Sequence, residues 1–188
     1  MDQRLLVERA GEGDHDAFSE LVLGGPIARL DAAARLILRD HELARDAVQE
    51  TLVHAWRDLP GLRDPDKFNA WIHRILIRSC FEILRRRRRR VIEVELTPSA
   101  DVPVRDPGSE IVDRDQVERA LRRLDPGWRA VVVAHYFLGL PLPEVAAMLG
   151  IPLGTAKSRL HRSLSAMRVG LQAEARSEPL ELPQGHTA

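Results

Sequence analysis

Apolar side chains recur every three or four positions through the first 90 residues of the chain, a spacing that predicts a series of amphipathic helices. Glycine and proline interrupt this pattern at 11–13, 24–26 and 60–61, and they divide it into separate segments. Within these 90 residues, the two longest predicted helices run from about 42 to 59 and from about 67 to 90. The second of them is apolar along its first half and ends in six consecutive arginines.

The pattern changes twice in the second half of the chain. Residues 91–115 contain three prolines and no sustained period, which predicts a flexible linker, although a weak alternation at 91–96 is compatible with a short extended segment. Helical periodicity returns at 116–172 and is lost at 173–188, where we expect a disordered tail. The sequence thus predicts an all-α protein with two small helical domains, 1–90 and 116–172, joined by a flexible linker.

Two short helices of the second domain, joined by a turn at 150–152, have the form of a helix-turn-helix. Apolar residues recur on one stripe of the second helix, and we expect them to pack inward; they are Ala156, Leu160, Leu164 and Met167. The opposite face carries cations and hydrogen-bond donors of the kind that reach phosphates and base edges in a major groove. These residues are Thr155, Lys157, Ser158, Arg159, His161 and Arg162.

The chain carries 28 basic and 28 acidic side chains, but the two signs are unevenly distributed. Residues 91–115 contain two basic and seven acidic residues, whereas 116–170 contain eight basic and three acidic ones. No carboxylate occurs from 153 to 172, although surface helices ordinarily mix both signs. This segregation favours nucleic-acid binding by the second domain over an ordinary solvated helix face.

Several function classes find no support in the sequence. No apolar run approaches the ~20 residues that span a bilayer, and the N-terminus lacks the pattern of a signal peptide, so we expect a cytoplasmic protein. The single cysteine, Cys80, cannot form an internal disulfide or a thiolate metal site alone. Residues 41–45 begin like a zinc-protease helix, but Arg45 stands where the second histidine ligand is required. We therefore expect no metal, no cofactor and no enzymatic activity.

Two sets of motifs resemble the bacterial sigma factors. Residues 149–162 (LGIPLGTAKSRLHR) closely resemble their promoter-recognition helix-turn-helix. Residues 46–51 (DAVQET) with Trp56, and then 68–75 (FNAWIHRI) before the arginine tract, resemble the core of their first domain. With only these two domains, the chain is similar to the extracytoplasmic-function group of the sigma-70 family. The resemblance implies a transcription initiation factor that binds core RNA polymerase and directs it to promoters through −10 and −35 contacts.

The resemblance also assigns residues to each contact. It places core-polymerase binding on Asp46, Gln49 and Glu50. It places contacts to the −10 element on Arg63, Lys67, His73, Arg74 and Arg78. The −35 element is expected to face the donor-rich side of the helix-turn-helix, with Arg162 as the residue that makes a bidentate guanine contact and Thr155 as a cap or phosphate contact.

The chain departs from the family pattern in the helix that carries the −10 contacts. Arg78 and Glu82 stand where such proteins commonly carry Asn and Asp, so the −10 preference is expected to differ. Farther along the helix, the six arginines 85–90 cover every face of it, and some of them must therefore point away from DNA. We expect this tract to supply salt-sensitive phosphate binding rather than sequence choice.

The resemblance further implies control by an anti-sigma factor, commonly anchored in the membrane. The linker suits promoter binding, because about 23 residues extend to ~75 Å at ~3.3 Å each, and the two promoter elements are separated by roughly 50–70 Å. The alternative is a dimeric helix-turn-helix repressor that binds palindromic DNA without polymerase. That alternative leaves the first domain without a role.

Overall fold

The computed structural model describes residues 2–94 and 112–177, and all regular elements within these two ranges are helical. The all-α prediction is therefore confirmed. The helices are α1 Gln3–Gly11, α2 His15–Leu23, α3 Pro26–Leu38, α4 His41–Asp58, α5 Phe68–Val94, α6 Val112–Arg122, α7 Pro126–Val132, α8 Leu142–Leu149 and α9 Leu153–Ser177. Short 3-10 turns at Leu59–Gly61 and Pro65–Lys67 connect α4 to α5, and a π-helical turn at Val133–Phe137 extends α7.

Aspartates begin three of the N-terminal helices. Asp14 accepts hydrogen bonds from the backbone N–H groups of Asp16 and Ala17 and so caps α2. Asp40 caps α4 in the same way through the N–H of Leu43, and Asp2 caps α1. Because the first N–H groups of a helix have no intrahelical acceptor, these short carboxylates fix where each helix starts.

Helix α3 forms the centre of the N-terminal unit, which comprises residues 2–94. Leu30, Ala33, Ala34 and Ile37 of this helix are all inaccessible to solvent. Helices α4 and α5 pack on α3 and on each other, and they bury further apolar side chains, including Phe68, Ile72 and Leu76 of α5. The small residues of α3 allow its neighbours to approach closely, so that the exposed faces of α4 and α5 are held on a rigid base.

The C-terminal unit, residues 112–177, is built from α6 to α9. Its core includes Val131 and Val133 from α7 and the π-helical turn, and Val145 from α8. Gly150 ends α8 with φ +63°, a left-handed conformation that a glycine adopts without the steric penalty of a Cβ atom. This turn sets α9 across α8, which confirms the predicted helix-turn-helix.

The inward stripe of α9 differs from the prediction at one position. Leu164 is 37% exposed, whereas its neighbour Ser163 is completely buried. At about 100° per residue, Ser163 lies about 20° from Ala156 around the helix, whereas Leu164 lies about 80° away. The prediction for Leu164 was wrong because it followed the apolar side chain rather than the helical angle.

Helices α5 and α9 both extend beyond their predicted ends. α5 continues to Val94, so residues 91–94 are helical. They do not form the short extended segment with which their weak alternation was compatible. α9 continues to Ser177, so 173–177 are helical where a disordered tail was predicted. In both places an established helix presents carbonyl acceptors to the residues that follow, and adding a residue to a helix is far easier than starting one.

Two stretches of the predicted organisation fall outside the described residues. They are 95–111, which hold most of the predicted linker, and 178–188, which hold the rest of the predicted tail. The two units on either side of the first stretch are packed together. Helix α3 contacts α6, α7 and the π-helical turn, and α5 contacts α8.

Candidate protein and nucleic-acid interfaces

The outer face of α9 presents the predicted DNA contacts in one group. Lys157, Ser158, His161 and Arg162 are exposed, while Ala156 on the opposite side is completely buried. The Ser158 hydroxyl donates a hydrogen bond of 3.0 Å to the Thr155 carbonyl oxygen, which holds the serine side chain close to the helix. The long cationic side chains consequently extend farthest from this face. Such a face can hydrogen-bond phosphates and base edges at the same time.

Two of the predicted contacts lie at the margin of this face. Thr155 and Arg159 are half-buried. The guanidinium of Arg159 lies over the start of α7, where a Cβ added at Gly127 would be 3.3 Å from its Nη1 atom. This proximity was not predictable from the sequence, because α7 is distant from Arg159 along the chain and a single glycine forms no recognisable pattern. Arg159 therefore lies against the start of α7, at one side of the exposed face.

The second group of predicted DNA contacts lies on α5 and on the loop before it. Arg63, Lys67 and Arg78 are exposed. Lys67 pairs with Asp64 at 3.1 Å across the 3-10 turn, and hydrogen bonding to Lys67 lowers the pKa of Asp64 below its ordinary value. This exposed ion pair contributes little to stability, so Lys67 is available to another anion.

Two further predicted DNA contacts on α5 are covered by the C-terminal unit. Arg74 pairs with Glu144 of α8, with both Nε and Nη2 at 2.8 Å from Oε2. His73 is only 6% exposed, and its Nδ1 atom has no hydrogen-bond partner among the described residues. Burial, together with the nearby guanidinium of Arg29, lowers the pKa of His73 to about 4, so the ring is neutral at pH 7.

A cleft of about 820 Å³ lies where the two units meet beside α5. Its lining comes mainly from the N-terminal unit, with Gln3, Arg29, Asn69 and His73 among the polar residues, and Phe137 is contributed by the C-terminal unit. Within the described residues, no cluster of three or more His, Cys, Asp or Glu side chains has an arrangement that could hold a metal ion. The cleft is thus a boundary between two packed units with a mixed polar and apolar lining.

The predicted protein-binding residues share the outer face of α4. Asp46 and Gln49 are exposed and Glu50 is half-buried, while Ala47 and other small residues on the opposite face are buried against α3 and α5. Val53, one turn farther along, is 65% exposed. Val53 belongs to no charged motif and was therefore not among the predicted contacts, although its spacing from Asp46 and Gln49 places it on their face.

Cys80 is buried in the core of the N-terminal unit. Burial raises the pKa of its thiol to about 12, so the side chain stays protonated and behaves as a small apolar group. Among the described residues, no helix is both long and apolar enough to cross a membrane.

Comparisons with known proteins identify both halves of the chain. The family model for sigma-70 region 2 matches residues 28–90, and the model for sigma-70 region 4 matches residues 114–167. The chain is 36% identical over 163 residues to the ECF RNA polymerase sigma factor SigM of Mycobacterium tuberculosis, covering 86% of this chain and 80% of that relative.

Two solved structures have a similar fold. The sigma factor RpoE of Bartonella quintana, in complex with the anti-sigma factor NepR, superposes with a TM-score of 0.65 at 25% identity, covering 84% of this chain and 98% of that one. CnrH in complex with the cytosolic domain of CnrY has a TM-score of 0.58 at 30% identity, covering 92% of this chain and 99% of that one. These structures are similar to the present chain over both of its units.

Proposed function

This chain belongs to the extracytoplasmic-function group of the sigma-70 family. On that basis we propose which surface binds core polymerase and which surface binds each promoter element. It is a transcription initiation factor that binds core RNA polymerase and directs it to promoters. We assign residues 1–90 to polymerase binding and −10 recognition, 91–115 to the linker, 116–172 to −35 recognition and 173–188 to a tail. The protein acts by binding and carries out no catalytic step of its own.

Core polymerase binds the outer face of α4 through Asp46, Gln49 and Glu50. The observation that supports this assignment is the division of α4 into an exposed polar face and a completely packed apolar face. Rigid presentation from a packed helix reduces the entropy lost on binding. The exposed Val53 adds an apolar contact beside the acidic ones, a combination typical of protein interfaces.

The −10 element binds along α5 and the preceding loop. Arg63, Lys67 and Arg78 are exposed in the present conformation, and His73 and Arg74 join them when the C-terminal unit moves away. Cations at these positions hold the backbone of a melted strand. Arg78 adds a positive charge at a place where the family commonly has an amide, so it strengthens backbone binding more than base recognition.

The −35 element binds the outer face of α9. Lys157, Ser158, His161 and Arg162 are exposed together, and we assign the bidentate guanine contact to Arg162. Thr155 and Arg159 lie at the margin of the face, where phosphates pass. A dimeric repressor is not favoured, because the region 2 match identifies the N-terminal unit, which a repressor would leave without a role.

An anti-sigma factor controls the protein by covering these surfaces. The support comes from the solved relatives, which are complexes of sigma factors with the anti-sigma factor NepR and with the cytosolic domain of CnrY. We therefore place the protein in the cytoplasm, on the nucleoid when active and held at the membrane when its anti-sigma factor is anchored there.

Size-exclusion chromatography with core RNA polymerase tests the docking face. The wild-type chain should co-elute with core polymerase, and a variant with Asp46, Gln49 and Glu50 changed to Ala should not. A matched control changes Glu8, Glu12 and Ser19, which are exposed on or beside α1 and α2, to Ala; it likewise removes two carboxylates and one neutral polar group and should still co-elute. Equal retention of both variants would remove polymerase binding from α4, and failure of the wild type to bind would overturn the function.

A further inference from the structure

Helix α3 begins without a side-chain cap. Aspartates cap α1, α2 and α4, whereas Gly25 stands at this position in α3. Its φ of +151° is one that L side chains rarely adopt, so a capping side chain cannot readily replace the glycine. Pro26 has no N–H, and the N–H groups of Ile27 and Ala28 receive no side-chain acceptor. The start of α3 therefore keeps the donors and the partial positive charge that bind anions at helix N-termini.

This helix start lies in the cleft beside α5. Residues 24–26 and Ala28 line the cleft, and Arg29 lines it from the next position. The Arg29 guanidinium donates to the Phe137 carbonyl and lies 5.3 Å from the centre of that ring, so it is held at the cleft. A guanidinium carries five N–H donors, so this bond leaves others for a ligand. An anion bound here would meet backbone donors, the helix dipole and a fixed positive charge.

A buried polar atom belongs to the lining of the same cleft. His73 is 6% exposed, and its Nδ1 atom has no hydrogen-bond partner among the described residues. Because a buried polar atom without a partner is costly, this nitrogen points to a ligand group that enters the cleft and bonds it. The ring is neutral at pH 7, since its pKa is about 4. A neutral imidazole nitrogen donates or accepts according to its tautomer, and a hydroxyl group can bond it in both cases.

Two amide side chains extend this neutral polar part of the lining. Asn69 lies one turn before His73 on α5, and its Nδ2 atom donates to Oε1 of Gln3 at 3.0 Å. Both amides line the cleft and keep hydrogen-bonding capacity beyond this bond, which suits further hydroxyl groups. Among the described residues that line the cleft, Glu20 alone carries a carboxylate, and it is exposed. Its charge should weaken the binding of an anion.

We propose that this cleft binds a small phosphorylated sugar, whose phosphate binds the start of α3 and Arg29 and whose hydroxyl bonds Nδ1 of His73. The phosphate supplies the acceptor that no side chain gives to α3, and the hydroxyl supplies the partner for the buried nitrogen. The cleft volume of about 820 Å³ lies within the roughly 300–1,000 Å³ typical of small-molecule sites. The site shares His73 with the proposed −10 surface, so its test uses the free chain without polymerase or DNA, and its outcome is independent of the proposed function.

A nuclear magnetic resonance titration of the 15N-labelled full chain tests the proposal. The probes are inorganic phosphate and ribose 5-phosphate, and the reporters are the backbone amides of Ile27 and Ala28. The start of α2 is an internal control, because Asp14 already accepts from Asp16 and Ala17. We expect saturable shifts at the start of α3 with both probes, and about fivefold tighter binding of ribose 5-phosphate from its additional hydrogen bond. Unshifted α3 amides, or equal shifts at the two helix starts, would overturn the proposal.

Two exposed positions of opposite charge test where the phosphate binds. Arg29→Gln should weaken the binding of both probes about tenfold, because it removes a charged donor. Glu20→Gln should strengthen the binding of both, because it removes the carboxylate from the lining. Arg35→Gln and Glu12→Gln are matched controls at exposed positions outside the lining and should change neither affinity. Equal effects of Arg29→Gln and Arg35→Gln would remove the phosphate from the start of α3.

His73→Leu tests the other end of the ligand. It should weaken ribose 5-phosphate about fivefold and leave the affinity for inorganic phosphate unchanged. In the wild type, the imidazole nitrogen resonances of His73 should shift with ribose 5-phosphate and not with phosphate, which detects the bond without a substitution. Unmoved resonances together with an unchanged affinity of His73→Leu would overturn the hydroxyl contact. Adenosine 5′-monophosphate carries the same sugar phosphate, so tighter binding of it would identify a nucleotide and equal binding a free sugar phosphate.

Discussion

The guanidinium of Arg129 donates two hydrogen bonds to the carbonyl oxygen of Ile37, from Nε at 3.0 Å and from Nη2 at 2.7 Å. Ile37 lies in the last turn of α3, where carbonyl groups have no intrahelical donor and the helix dipole favours a cation. A third bond, from Nη1 to the carbonyl of Leu124 at 3.1 Å, fixes the other side of the guanidinium. Arg129 is 3% exposed, so backbone oxygens supply the polar surroundings of a buried charge.

We expect Arg129→Met to lower the free energy of unfolding by about 2 to 4 kcal/mol, because two buried carbonyl oxygens lose their donor. The free energy of unfolding of Arg129→Lys should lie between those of wild type and Arg129→Met. A lysine keeps the positive charge, but it lacks the planar guanidinium that donates to both carbonyls. Urea unfolding followed by circular dichroism measures these values. Exposed Arg35→Met is the control and should stay within about 0.5 kcal/mol of wild type. Equal stability of the Arg129 and Arg35 variants would contradict the buried capping role.

The helical periodicity was sufficient to predict the fold class, and the positions of Gly24, Pro26 and Gly150 were sufficient to predict where several helices end. The contacts between the units were not predictable. Arg29, Arg39 and Arg129 bind backbone carbonyls, which every residue possesses, so their partners leave no trace in the sequence. An isolated arginine is ordinarily a solvated surface residue, and only the packed structure shows that Arg129 is buried.

On α9, Ser163 is buried where the sequence predicted that Leu164 would be, and this difference leads to a stability prediction. Ser163 is completely buried, and its hydroxyl has no hydrogen-bond partner within the described residues. Ser163→Ala should therefore raise the free energy of unfolding by about 1 kcal/mol, because it removes an unsatisfied polar group and adds a better helix former. Leu164→Gln at the 37% exposed neighbour should change stability by less than about 0.5 kcal/mol. If Leu164→Gln instead lowers the free energy of unfolding and Ser163→Ala does not raise it, Leu164 packs inward as the sequence predicted.

The buried His73 should make stability depend on pH between about 4 and 6.5. Its pKa is about 4 in the folded chain and 6.5 in the unfolded chain, so the unfolded state takes up the proton first as the pH falls. The free energy of unfolding should therefore drop by up to about 2 kcal/mol between pH 7 and pH 5. We expect His73→Leu to lose this part of the pH profile in urea unfolding, and His161→Leu, on the exposed face of α9, to retain it. Identical profiles for wild type and His73→Leu would show that His73 is accessible to protons when folded.

Arg162→Ala should relax sequence specificity at one position of the −35 element. Loss of a bidentate guanine contact reduces affinity for the specific site by about 1–3 kcal/mol and leaves binding to unrelated DNA largely unchanged. The preferred −35 sequence is first selected by the holoenzyme from a random library. Competition binding then measures the affinities for that sequence and for unrelated DNA. Arg168→Ala, also exposed on α9, is the control and should weaken specific and unrelated DNA equally or not at all. Equal losses on the two DNAs for Arg162→Ala would make it a phosphate contact.

The arginine tract at the end of α5 should control the salt dependence of DNA binding. Arg85, Arg86 and Arg87 are exposed, and each phosphate contact contributes about 0.9 to the slope of log K against log salt on duplex DNA. Changing all three to Gln should therefore reduce the slope by at most about 2.7 and should leave the preferred promoter sequence unchanged. Fluorescence anisotropy of the holoenzyme on promoter DNA across a salt series measures the slope. An unchanged slope would mean that these side chains point away from DNA, and a changed sequence preference would mean that the tract contacts bases.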